Sequence, residues 1–207
     1  MRNAAILAIL LALGCGKDPV AGREHAAVGE AAAATPAPSP GGSLVRMSLS
    51  PDRGKIGFIG AKVTATHEGK FERFTGQILV DPEQVARSSV SVSIDVGSLV
   101  ILPAKLQKHI KSPDFLDVEQ FGRATFQSTQ IALGEAGQPA RITGNLELHG
   151  VKKSITFPAQ IQASKDAVSV KAEFGINRKD FGIVYPGAPD DLIKDDVLIQ
   201  LDLRAQP

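Results

Sequence analysis

The sequence predicts an all-β domain, and three observations carry that prediction. Apolar and polar residues alternate with period two along most of the chain after residue 43. Short turn-forming stretches separate several of the alternating runs. One segment alone reads as a helix. Strict alternation means one dry and one wet face, which is the pattern of antiparallel sheet. About eight strands with so little helix leave two ways to cover the dry face, a two-sheet sandwich or a sheet closed into a barrel. Alternation by itself does not separate the two.

The elements follow in order. Leu44 to Leu49 is a first strand, Asp52-Arg53-Gly54 a turn, and Lys55 to Thr66 the next strand. His67 to Lys70 is a second turn. Phe71 to Asp81 follows as strand, with Phe74, Gly76, Ile78 and Val80 on one face. Val90, Val92, Ile94 and Val96 alternate with serines and Asp95. Ala124 to Leu133 is strand, and Gly134 to Gln138 a turn. Ile142 to Leu148 and Ile155 to Ile161 make a hairpin about Gly150. Val168 to Ile176 follows, then a polar connection from Asn177 to Asp196, and Val197 to Arg204 closes the chain.

The helix is Pro103 to Lys111, inserted between two strands of that order. Pro103 suits a first helical position. Leu102, Leu106 and Ile110 recur every four residues as one narrow apolar stripe, and Lys108, His109 and Lys111 favour the C-terminal dipole. Ser112-Pro113 ends it. If the sheet closes, this insertion with the loop through Asp117 covers an open end and serves as a lid or gate.

Composition narrows the function. With 207 residues and a net charge of +1, the chain lacks the basic excess of a nucleic-acid-binding protein. The single cysteine, Cys15, excludes an internal disulfide framework and a multi-thiolate metal site. Residues 1–15 read as an export signal. Arg2 precedes a short apolar run, Ala4 to Leu13, that is too short to span a bilayer at about 20 residues. The small residues just before Cys15 resemble a lipobox, which would make Cys15 the lipidated first residue of the mature protein, anchored to a membrane surface; a plain cleaved signal with an incidental cysteine is the competing reading. Gly16 after it points to a periplasm-facing outer-membrane location. Residues 16–42, rich in Ala and Pro, read as a disordered tether. The folded domain is then 43–207.

Candidate chemistry is sparse. His67, His109 and His149 lack metal-ligand spacing, and Asp190, Asp191, Asp195 and Asp196 lack the alternation of a calcium loop; a solvated loop is the plainer reading. No nucleophile elbow, phosphate loop, dinucleotide fingerprint or Cys-x-x-Cys is present. No metal site and no catalytic residue is assigned.

Several ordered motifs together resemble one family. The run from His109 to Asp117, His-Ile-Lys-Ser-Pro-Asp-Phe-Leu-Asp, is similar to a signature of the YceI-like, polyisoprenoid-binding proteins. Thr143 to Val151 and Asn177 to Ile183 resemble its second and third signatures, and Phe74-Thr75-Gly76 and Ile94 to Leu99 fall in matching order. The chain departs from the family at Leu116, where a second Phe is usual, at Gly122, where a Pro is common, and in the apolar stretch Leu99 to Leu102.

The resemblance implies an extended, lipocalin-like antiparallel barrel of about eight strands with one short helical lid, enclosing a polyisoprenoid or similar amphiphile. It implies no required cofactor, with a bound isoprenoid lipid or quinone as the ligand, fatty acids or their amides as alternatives, and a homodimer as a compatible assembly. A structural or stress-related envelope barrel without a dedicated ligand, and a hydrolase or isomerase, are the competing readings. The residues expected at the lumen are Phe58, Phe74, Ile78, Val92, Ile94, Leu106, His109, Phe115, Phe126, Leu146, Phe157, Phe174, Ile176 and Phe181. Ordinary core packing competes with that role for each. His67, His109, Arg178 and Lys179 are candidates for a headgroup, with solvated surface as the plainer reading.

Overall fold

The computed structural model describes residues 18–32 and 44–207. The signal and Cys15, and residues 33–42 of the expected tether, lie outside them. In chain order the elements are β1 (Ala27–Glu30), β2 (Val45–Ala61), β3 (Thr66–Phe71), β4 (Phe74–Val80), β5 (Ser89–Asp95), β6 (Leu99–Ile101), α1 (Ala104–Lys111), β7 (Arg123–Ala132), β8 (Ala140–Leu148), β9 (Val151–Ala163), β10 (Val168–Asn177), β11 (Gly187–Ala188), β12 (Asp191–Leu192) and β13 (Asp196–Gln206).

Eight strands close a ring. Going round, β2, β4, β5, β7, β8, β9, β10 and β13 pair with their neighbours antiparallel, and β13 returns to β2. Closure removes the free edges of the ring except where β9 and β10 part beyond Gln160 and Lys171. The dry faces of all eight strands therefore meet inside, and the barrel of the two candidate folds is the one formed. β2 carries two neighbours along one edge: its first half pairs with β4 (Leu49 opposite Gly76) and its second half with β3 (Ile56 opposite Phe71). β6 extends this flap (Gly69 opposite Ile101) and delivers the chain to α1 at one end of the barrel.

Four local expectations are corrected. Asp52-Arg53-Gly54 is not a turn. β2 runs straight through it and bulges, because register against β13 shifts between Leu203 and Ala205. A side chain on Gly54 would sit 2.9 Å from the Asp202 carbonyl, so the glycine marks close approach and not a reversal. His67 to Lys70 lies within β3; the turn is one step earlier, where Lys62 N–H donates to the Ala65 carbonyl at 2.8 Å. The strand expected from Phe71 to Asp81 breaks at Glu72-Arg73, opposite the β2 bulge. In α1, Pro103 occupies the N-cap and Leu102 is 76% exposed, so the apolar stripe reduces to Leu106 and Ile110.

The tether expected over 16–42 is corrected over its described part. Residues 18–32 lie on the barrel. Val20 is buried against Gly175, where a Cβ would stand 2.5 Å from the valine methyl. Ala26 joins the core around Phe157 and Phe174. β1 pairs with β9, from Ala27 opposite Thr156 to Glu30 opposite Lys153. Arg23 pairs with Glu173 at 2.7 Å, Glu24 with Arg141, and Glu30 with Lys153 at 2.9 Å. Low hydrophobicity argued for disorder, but backbone hydrogen bonds to an open stretch of β9 need no apolar side chains.

Candidate functional site: an apolar cavity beneath a helical lid

Inward-facing residues do not fill the barrel. They leave a cavity of about 260 Å³, bounded by residues from every strand of the ring, with β4 contributing Ile78, and by the loops at the α1 end. Ile56 and Phe58 from β2, Val92 and Ile94 from β5, Phe126 from β7, Leu146 from β8, Phe157 from β9 and Phe174 from β10 form much of its wall. Two glycines make room for aromatic rings. A Cβ on Gly144 would lie 2.4 Å from the tip of Phe126, and one on Gly69 would lie 2.6 Å from that of Phe58. Each ring thus lies flat against the neighbouring strand and leaves the lumen open.

The upper end is covered by α1 and the loop after it, which place Ile110, Phe115 and Leu116 on the cavity. This cover is held at several points. Lys111 Nζ donates to the Gly97 carbonyl at 2.7 Å, and Ile101 N–H donates to Gln107 Oε1 at 3.2 Å. His109 Nε2 lies 2.8 Å from Asp114 Oδ2. The His109, Phe115 and Tyr185 rings pack in a triangle, with centroids 5.0 to 5.1 Å apart. Tyr185 ties the lid to the loop from Ile183 to Lys194, which supplies Ile183 and Ile193 to the same end.

Two charged residues adjoin the cavity, Arg178 and Lys194. Arg178 is only 5% exposed. Its guanidinium donates to the Ile183 carbonyl at 2.6 Å, the Lys194 carbonyl at 3.2 Å and Asp195 Oδ1 at 2.9 Å. Burial lowers its pKa, against the opposing pull of Asp195. Asp195 also accepts from Lys179 Nζ at 2.8 Å, and that bond foremost holds its carboxyl below the ordinary value. Arg178 is therefore a buried pin joining the third motif to the 183–195 loop, and surface placement does not hold for it. The acidic quartet is dispersed: Asp191 pairs with Lys62 and accepts from Thr64, Asp195 serves Arg178, and Asp196 approaches His25. Among the described residues no three His, Cys, Asp or Glu side chains gather as metal ligands.

Of the residues expected at the lumen, Phe58, Ile78, Val92, Ile94, Phe115, Phe126, Leu146, Phe157, Phe174 and Ile176 line the cavity. Phe74, Leu106, His109 and Phe181 do not. Phe74 packs with Met47 and Val80 in the solid core at one end. Phe181 is fully buried in the same core cluster as Phe157 and Phe174. Leu106 and His109 lie in the lid without bordering the lumen. The sequence reading did not place Ile110 at the lumen, although it lies on the apolar stripe of α1, and it missed Leu116, Ile183 and Ile193, which lie on irregular segments with no periodicity to reveal their direction. It also missed Phe71, Ile142, Ile155 and Ile199, which follow the same alternation as their chosen neighbours.

Residues 47–205 match the YceI-like domain model. The chain belongs to the YceI-like family. Relatives include a UPF0312 protein of Vibrio cholerae, 39% identical over 127 residues covering 58% of this chain and 67% of that protein. Another is a UPF0312 protein of Pseudomonas putida, 36% identical over 139 residues covering 64% and 71%. Among solved structures, Burkholderia cenocepacia BcnA superposes with a TM-score of 0.68 at 23% identity, over 76% of this chain and 99% of that one. A polyisoprenoid binding domain from Saccharophagus degradans, implicated in plant cell wall breakdown, superposes with a TM-score of 0.62 at 16% identity, over 79% and 99%. At these identities the superpositions establish the barrel. β1 lies before the segment matched by the YceI-like model.

Proposed function

We propose that the protein binds a long apolar molecule in this cavity without chemical turnover, and that the ligand is a polyprenyl compound or quinone. The observation that carries the reading is the lining itself: it holds no Ser, Thr, Cys, His, Asp or Glu, and only Arg178 and Lys194 bring charge to one end. A wall of that chemistry offers no hydroxyl, thiol, imidazole or carboxylate to serve as nucleophile or general base, and Lys194 is its one amine. It favours a ligand without hydrogen-bonding groups along most of its length. The Saccharophagus degradans protein is described as binding polyisoprenoids, and the shared barrel supports the same ligand class here.

Magnitudes agree. Burying an isoprenoid tail yields about 0.8 kcal/mol per methylene-sized group, hence about 3–4 kcal/mol for a five-carbon unit. A few units offset an association cost of about 4–15 kcal/mol. An engineered apolar cavity of about 150 Å³ takes up benzene. On that scale the 260 Å³ here accommodates about ten carbons, roughly two five-carbon units. A longer tail must widen the barrel or pass through its wall. Fatty acids and their amides fit the same lining.

The proposed setting is the cell envelope, with Cys15 lipidated and the barrel facing the periplasm. Native mass spectrometry of the purified protein, with organic extraction of any adduct, tests the ligand. A stoichiometric adduct that fragments as an isoprenoid or quinone supports the reading. A fatty-acyl adduct moves the ligand class. A clean apo mass that takes up neither polyprenols nor quinones overturns it. Metabolic labelling with a fatty acid, compared with Cys15→Ser, tests the anchor.

A further inference from the structure

The wall of the barrel divides where β1 lies. β9 and β10 pair only from Gln160 opposite Lys171 to Ala163 opposite Val168. Beyond that point β9 stays with β8 and β10 stays with β13, up to Val151 and Asn177 respectively. The two strands part, and β1 occupies the space between. It is laddered to β9 over four residue pairs. To β10 the segment is joined only at Gly175, where Ala26 N–H donates to the Gly175 carbonyl at 2.8 Å and Gly175 N–H donates to the Glu24 carbonyl at 2.9 Å.

The parting opens onto the cavity. Ile155 on β9 and Ile176 on β10 flank it, and both line the lumen. Below, the stacked rings of Phe157 and Phe174 close it, with centroids 4.3 Å apart. Above, His149 Nδ1 lies 3.2 Å from the Phe181 carbonyl. Two strand spacings of about 4.8 Å leave roughly 10 Å between the backbones of β9 and β10. With β1 lifted, a single alkyl or prenyl chain fits that slot.

We propose that residues 24–32, which lie outside the cavity lining, are a removable cover over the β9–β10 seam, and that an apolar chain enters and leaves sideways between Ile155 and Ile176 when this segment lifts. The inference rests on the reading above that the cavity takes an apolar ligand. The attachment of the segment suits the role. All four β1 residues are exposed, and the ion pairs of Arg23, Glu24 and Glu30 are exposed, so water replaces these pairs at little cost; the buried contacts that lifting must break are Ala26 in the core and the pair of hydrogen bonds between buried Asn145 and the Ala32 backbone, at 3.0 and 2.9 Å. The eight ring strands close without β1, so lifting it leaves their pairing intact. The α1 lid, by contrast, is held by the buried Phe115, the ring triangle and two bonds to fixed backbone. A seam also admits a long chain along its length, where the lid end would require it to thread end-on.

The test is to lock the segment. In the full chain carrying Cys15→Ser, Ala27→Cys is combined with Thr156→Cys, and separately Glu30→Cys with Lys153→Cys; each pair is opposed in the register. Uptake of a fluorescent farnesyl probe is followed with the engineered cysteines oxidised and reduced. The expected result is uptake slowed at least about ten-fold on oxidation and restored by reduction, with equilibrium affinity unchanged. Equal rates in both states overturn the proposal. Amide exchange in the unmodified protein gives an independent reading: the amides of 27–30 should exchange at least about 100-fold faster than those of β8. Equal protection would overturn the removable cover even if no probe bound. Failure of the reduced variants and the parent to bind probe, with 27–30 still exchanging fast, would instead overturn the ligand reading.

Discussion

The ring of Phe157 stacks on that of Phe174 with centroids 4.3 Å apart and planes 15° apart. Both rings are buried and both border the cavity. They would face each other in the β9–β10 ladder had it continued, but the strands have already begun to part there. The stack therefore carries the junction that backbone hydrogen bonds abandon. Phe157→Ala and Phe174→Ala should each cost about 3–5 kcal/mol. A double-mutant cycle from urea unfolding should return a coupling of about 0.5–1.5 kcal/mol. Strictly additive losses would show that the rings contribute only as separate apolar volume.

Room in the lumen depends on Gly144. A Cβ there would stand 2.4 Å from the Phe126 ring tip and 2.5 Å from the Gln127 carbonyl, so Val drives the ring toward the cavity and pushes the β7 backbone away from β8. Overpacking should cost about 1–3 kcal/mol. The same displaced ring should weaken farnesyl-probe affinity by about ten-fold or more, which is about 1.4 kcal/mol. Calorimetric titration of Gly144→Val beside the parent checks this, and unchanged affinity would mean that Phe126 does not limit the occupied space.

Acid should loosen the loop that Arg178 pins. Asp195 has its carboxyl lowered from 3.8, chiefly by the Lys179 hydrogen bond, and Asp191 is lowered likewise by Lys62. A lowered folded value means that the stabilisation is present above the ordinary value and is lost as pH falls below it, through the folded value. Asp195→Asn should cost about 1–3 kcal/mol at pH 7, since it removes a charge-assisted partner of a buried guanidinium. The gap between parent and variant should shrink between pH 5 and pH 3 in denaturant titrations. A gap that widened on acidification would contradict the assignment.

Val20 anchors the N-terminal segment to the outer face of β10 at Gly175. Val20→Asp should forfeit about 1.5–3 kcal/mol of burial, felt locally. Limited proteolysis should then cut within 18–32 sooner, while the melting temperature of the barrel changes little. A matching fall in barrel stability would mean that the segment and ring unfold as one unit.

Strand alternation was legible because burial on one face writes period two directly into residues such as Val90, Val92 and Ile94. The same signal placed most of the lumen residues on the correct face. It erred at Phe74 because facing inward does not say whether a side chain meets a neighbour or an open space, and it carries no information at Phe181, which lies in the connection after β10 and outside any alternating strand. Turn chemistry misled at Asp52-Arg53-Gly54, where a glycine needed for close backbone approach looked like a reversal. Composition misled over residues 18–32, where Ala, Gly and Glu suggested a solvated tether and backbone pairing decided otherwise.

The sequence by itself determined an all-β domain, its single helix and the family to which its ordered motifs belong, since these rest on local period and spacing. Tertiary structure alone decided that β13 returns to β2, that Gly144 and Gly69 clear the lumen for Phe126 and Phe58, and that Arg178 is buried. It alone showed that β1 fills the parting between β9 and β10. Each of these depends on residues far apart in the chain meeting in space, and no local pattern encodes which strand an exposed backbone edge will accept.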